Sequence, residues 1–153
     1  MKRMHLLWLC VVLLLNGSLF AQEPLLEMTR AKEAKPLLFG ALPEEFDCSL
    51  TALQNLFSEV LNEQINTQLS DQLLIKGKII NQSQPVPGTI SINIRLENYH
   101  NALFNLTARL MPDNSFLMQG RIFHPRYGDA LVLVKNRDRY FFKKSSQKLL
   151  MPE

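Results

Sequence analysis

Cysteine is nearly absent from this sequence: Cys10 and Cys48 are the only two. Cys10 lies inside the apolar run of the first 21 residues, so once that segment is removed no internal disulfide can form and the fold must rest on its core. Histidine is almost as scarce. Beyond His5 there are only His100 and His124, on separate loops and without the close Cys/His spacing of a zinc site. No calcium-loop pattern and no phosphate-cradling glycine run occurs. The sequence therefore implies no cofactor and no metal. Long apolar runs are missing too, because Leu6 to Leu15 is far short of the roughly 20 residues that cross a bilayer.

What is present begins with "MKRMHLLWLCVVLLLNGSLFA", residues 1–21. Lys2 and Arg3 precede the apolar run, and Asn16-Gly17-Ser18 leads to a small residue at Ala21. This layout predicts a secretory signal peptide cleaved after Ala21, and a secreted product, periplasmic or extracellular. The remaining 132 residues (153 minus 21) suit one compact domain. Residues 22–46, with Pro24, Pro36, Gly40 and Pro43 among charges, predict an irregular N-terminal arm anchored by Leu37, Leu38 and Phe39. Residues 47–150 predict the folded domain.

In "SLTALQNLFSEVLNEQI" the residues Leu50, Leu53, Leu56, Phe57, Val60 and Leu61 lie on one stripe of a helix, with Asp47, Ser49 or Thr51 to cap it. From Leu73 the period changes to two. "LLIKGKII" predicts a strand over 73–80 and "TISINIRLEN" a second, with Ile90, Ile92, Ile94 and Leu96 on one face. "ALFNLTARL", "SFLMQGRIF", "ALVLVK" and "RYFFKK" follow in the same manner. Pairing Leu110 with Phe116, Ala108 with Met118 and Leu106 with Gly120 keeps every inward residue on one side; so does pairing Leu96 with Ala102 and Ile94 with Phe104. The expected fold class is α+β, one amphipathic helix packed on a curled antiparallel meander of five to six strands. Val132, Val134 and Phe141 make the second face of the last two strands partly apolar. That predicts cover from the arm or from a partner subunit.

Charge is split along the chain. Residues 22–71 carry 3 basic and 9 acidic side chains, a balance of −6, whereas residues 72–153 carry 12 and 5, a balance of +7. The simplest arrangement sets one half against the other; the alternative is an anion-binding half. On the polar side of adjacent strands, Arg95, Arg109 and Arg121 stand beside Asn93, Asn105, Thr107 and Gln119, with Lys76 and Lys78 on the first strand. Such a face suits an acidic protein, a glycan or an anionic polymer, or is an ordinary solvated surface with edge lysines. Nucleic acid does not fit an exported chain near neutrality without interleaved aromatics.

"GRIFHPRYGD", residues 120–129, is the densest polar stretch. His124 has the chemistry of a base that Asp129 orients, and Arg126 that of an anion anchor. No nucleophile accompanies them, and Pro125 and Gly128 are what a plain connection needs, so His124, Arg126 and Tyr127 are binding-loop candidates. Cys48 with His100 or His124 is the minimum for a cysteine-dependent hydrolase, but Glu44, Glu45 and Asp47 disfavour a thiolate there.

The expected function is a small exported non-enzymatic binding protein that uses the basic sheet face and the loops at 97–101 and 124–129. It makes no stable membrane insertion after signal cleavage, and a homodimer stays open through Cys48 or the second apolar face. The alternatives are the Cys48 hydrolase and a protease-inhibitor or prodomain-like module acting through the arm.

Overall fold

The computed structural model describes residues 34–113 and 115–146. The signal segment, the first part of the arm and the tail beyond Leu150 lie outside the described residues.

The described residues build one antiparallel sheet of eight strands. They are β1 (Glu45–Cys48), β2 (Gln64–Ser70), β3 (Leu73–Val86), β4 (Thr89–Leu96), β5 (Ala102–Leu110), β6 (Phe116–Phe123), β7 (Asp129–Asn136) and β8 (Arg139–Ser146). One helix, α1 (Leu50–Asn55), follows β1, and a single 3-10 turn spans Glu97–Tyr99. The order across the sheet is β1-β8-β7-β6-β5-β4-β3-β2, so β1 and β2 are its two edges. The sheet curls until these edges touch, where the Ser49 amide donates to the Leu69 carbonyl at 2.8 Å. The result is a curled half-barrel.

From β3 to β8 the expected meander is present in the expected register. Leu96 faces Ala102, Ile94 faces Phe104 and Ile92 faces Leu106. Leu110 faces Phe116, Ala108 faces Met118 and Leu106 faces Gly120. Ile92, Ile94, Phe104, Leu106, Ile122, Leu131 and Phe142 are fully buried on the inner face. Each such side chain contributes roughly 1.5–3 kcal/mol by leaving water, and a one-residue slip would turn all of them outward.

The α+β expectation of five to six strands with one amphipathic helix is not what forms. The apolar stripe from Leu50 to Leu61 makes only six helical residues, capped by Ser49, whose Oγ accepts from the Ala52 amide at 3.2 Å. Leu53 and Leu56 are buried, but Leu50, Val60 and Leu61 are exposed. After Asn55 the chain tightens through Phe57 N to Gln54 O and Ser58 N to Asn55 O, then reverses at Asn62, whose φ of 71° is left-handed. The physical reason lies in the neighbouring strand. A longer helix would leave one edge of β3 without partners, and unpaired backbone groups there are costly. Turning early lets Gln64–Ser70 take that edge as β2, with Ile65 and Leu69 inward. The other strand missing from the sequence reading, β1, starts in the last two residues of the arm expected to be irregular (22–46) and ends in the first two of the expected domain. It places Phe46 and Cys48 inward against β8.

The described part of the arm is tied to the loop between β6 and β7. Phe39 is 1% exposed, whereas Leu37 is 64% exposed, so the anchor is Phe39 with the half-buried Leu38. These residues attach beside Gly128 and Asp129. Val132, Val134 and Phe141 remain half-buried on the outer face.

Candidate functional site: a cationic outer face and an acidic seam

The loop His124–Asp129 is a latch for the arm. Asp129 is buried, and its two carboxylate oxygens accept from the amides of Leu38 at 2.7 Å and Phe39 at 2.8 Å. Gly128 N donates to Pro36 O at 2.9 Å, and Lys35 Nζ donates to Pro125 O at 2.7 Å. With both oxygens committed to the arm, Asp129 does not orient His124. The Nδ1 of His124 instead accepts from the Arg126 amide at 3.1 Å, inside its own turn. Tyr127 packs between the two histidines, its ring centroid 5.8 Å from His100 and 5.0 Å from His124. The 97–101 and 124–129 loops thus meet around an aromatic cluster, with Arg126 exposed beside it.

The sheet register decides how the outer face is laid out. Asn93, Asn105 and Arg121 form one row across β4, β5 and β6; Ser91, Thr107 and Gln119 form the next. These polar groups bond laterally: Asn105 Nδ2 donates to Asn93 Oδ1 at 2.8 Å, and the hydroxyls of Ser91 and Thr107 lie 3.1 Å apart. Arg95 belongs to the row of Leu103 and Phe123, adjoining the His124 loop. Arg109 pairs with Thr89 and Leu117, four residues along β5 from the Arg121 row. The three arginines are therefore spread over the face rather than converging on a point. Arg121 lies over the Phe123 ring at 5.1 Å. Lys78 stands directly opposite Arg95, and two like charges at that spacing oppose stability.

The seam between β1 and β2 has the opposite character. A cleft of about 490 Å³ is lined by Pro43, the β1 residues Glu45 to Cys48, Ser49 and the Leu69–Gln72 turn. Its charged lining is Glu45, Asp47 and Asp71. The two ion pairs among the described residues, Arg139 with Asp47 and Lys144 with Glu44, both join β8 to the β1 side. The acidic and basic halves thus meet along one line, not over an extended face. The sequence names Cys48 as a hydrolase candidate and Asp47 and Ser49 as helix caps, but not the cleft that they line with Asp71; the signal for it was the period-two alternation of Phe46 and Cys48 with Glu45 and Asp47.

Cys48 is a poor nucleophile in this setting. Burial pushes its thiol up to about 12, so it is neutral across ordinary pH. It faces Tyr140 at the start of β8, whereas His124 follows Phe123, which pairs with Ala130, itself opposite Ser145 near the end of β8. Neither histidine is placed to act as its base. Among the described residues no helix is long and apolar enough to cross a membrane. Comparison with protein families, with curated proteins and with solved structures finds no match to this chain.

Proposed function

We propose that the protein is a small exported non-enzymatic binding protein that holds an extended polyanion, an acidic polysaccharide, across the outer face of its sheet. One observation carries this reading. The six consecutive strands β3–β8 contain nine Lys and Arg, seven of them in the outward phase and Lys135 and Lys144 in the inward one, and a single acid, Asp129, which is buried and bound to the arm. A face of this kind attracts anions over its whole area. Support for a long ligand over a compact one comes from the spacing of Lys76, the Lys78–Arg95 pair and Arg109 over three separate rows. None of these four is in an ion pair with a described residue.

The strip of Asn93, Asn105, Ser91, Thr107 and Gln119 between the cations offers the donors and acceptors that sugar hydroxyls require. Lys78 beside Arg95 is a repulsion that an anionic ligand relieves. His124, Arg126 and Tyr127 extend the surface at the Arg95 end. Export is supported by the basic, apolar and small-residue layout of residues 1–21.

The test uses heparin as the acidic polysaccharide and dextran as the uncharged control. Heparin should be retained at low salt and released as ionic strength rises, with dextran not retained. Replacing Arg95, Arg109 and Arg121 by Ser should lower heparin affinity about tenfold or more. Unchanged affinity in the triple variant would refute the assignment.

A further inference from the structure

The backbone of β1 points to a second site. Lys144 N donates to Glu44 O at 2.9 Å, and Phe46 and Cys48 face Phe142 and Tyr140. An antiparallel ladder alternates, so the amides and carbonyls of Glu44, Phe46 and Cys48 turn toward β8 while those of Glu45 and Asp47 turn away from it. Ser49 confirms the phase, since its amide also turns away and is taken by Leu69 O. Beyond that one bond the seam opens. The donors and acceptors of Glu45 and Asp47 face the cleft and have no described partner.

We propose that this cleft receives an extended basic peptide from a partner protein, added as a strand to the free edge of β1. An exposed strand edge is a template for such addition, with main-chain bonds supplying affinity and side-chain pockets supplying selectivity. Glu45 to Ser49 offers four residue steps, about 13 Å of extended chain. Pro43 provides the exposed apolar contact in the cleft, since Phe46 and Leu69 are buried in the core. Glu45, Asp47 and Asp71 set the sign of the partner. The Asp47 carboxylate already holds Arg139, leaving Glu45 and Asp71 without an ion pair among the described residues. A second copy of β1 is a poor occupant, because it would bring its own Glu45 and Asp47 against the same carboxylates. Among the described residues, the cations of β3–β8 lie within paired strands and cannot enter as a free strand.

The experiment is calorimetric titration of the intact protein with acetyl-Lys-Val-Lys-Val-Lys-amide. Comparison peptides carry methyl groups on both valine nitrogens, or Glu in place of Lys. The unmodified basic peptide should bind, the N-methylated one about tenfold or more weakly, and the acidic one undetectably. Glu45→Gln with Asp71→Asn should weaken the basic peptide about tenfold. Hydrogen exchange on the unaltered protein supplies a readout that needs no variant: the peptide should slow the amides of Glu45 and Asp47. Equal affinity of the N-methylated peptide, no slowing at those two amides, an unaffected double variant or absence of binding would each overturn the proposal. So would a protein dimer that the peptide dissolves. The outer-face Arg→Ser variant should bind this peptide as the unaltered protein does, which separates failure here from failure of the polyanion reading.

Discussion

The body of the sheet and its seam are built from the same antiparallel backbone, yet they differ in both completeness and charge. Between β3 and β8 every strand has neighbours on both sides, and the exposed charge on those strands is uniformly positive. Between β1 and β2 one backbone bond, Ser49 to Leu69, brings the edges together, and carboxylates line the gap beside it. The difference teaches where stability and recognition separate. A continuous ladder around buried Ile, Leu and Phe residues can tolerate a repulsive outer pair such as Lys78 and Arg95. An open edge contributes less to folding and leaves backbone groups available to a partner.

The comparison breaks most sharply at Gly77, in the middle of the continuous part. A Cβ there would overlap the Arg95 carbonyl oxygen, and backbone on two paired strands cannot move aside cheaply. Gly77→Ala should cost about 4 kcal/mol and lower the unfolding midpoint of the whole domain in urea. A loss below about 1 kcal/mol would show that the ladder yields locally, as an open edge does.

Asp129 tests the one acid within the basic strands. Asp129→Ala removes two charge-assisted acceptors and strands the Leu38 and Phe39 amides, at a cost of about 3 kcal/mol. Limited proteolysis near Lys35 should accelerate as the arm detaches, while the meander keeps its exchange protection. Collapse of protection throughout the sheet would make the arm part of the continuous body instead.

The effect that is smallest when read per pH unit concerns the seam side and appears only in alkali. The folded chain keeps the Cys48 thiol protonated up to about 12, whereas an unfolded thiol ionises near its ordinary 9.0. The unfolded state then holds fewer protons, so this contribution is complete below pH 9.0 and is lost as pH rises toward about 12, with a limiting slope near 1.4 kcal/mol per pH unit. Tyr99, also pushed up by burial, adds a loss of the same sign. Cys48→Ala should flatten the decline without abolishing it, as read by urea midpoints at increasing pH. An identical decline in the variant would mean that the seam already admits water around the thiol.

Alternation of apolar and polar residues made the meander legible in the sequence. Ile92, Ile94 and Leu96 could face only one way, and the short turns after Leu96, Leu110 and Asn136 left one register for each hairpin. The outer cations were legible for the same reason, as the opposite phase of those strands. The helix was misread because Leu53 and Leu56 satisfy both a helical stripe and a short turn dipping into the core. Local spacing does not contain the competing demand of the β3 edge. In "QINTQLS" a period-two pattern was present but weak, with Ile65 and Leu69 among polar residues.

Composition and periodicity alone thus determined an antiparallel body without disulfides, and a basic second half following an acidic first. Those properties follow from side-chain hydropathy and spacing within single segments. Only the tertiary structure decided that the sheet curls until Ser49 reaches Leu69, that Asp129 is consumed by the arm, and that Glu45 and Asp47 present free backbone to a cleft. Each depends on residues distant in sequence meeting across the curled sheet, and long-range hydrogen bonding is chosen by the whole chain rather than by any one of its segments.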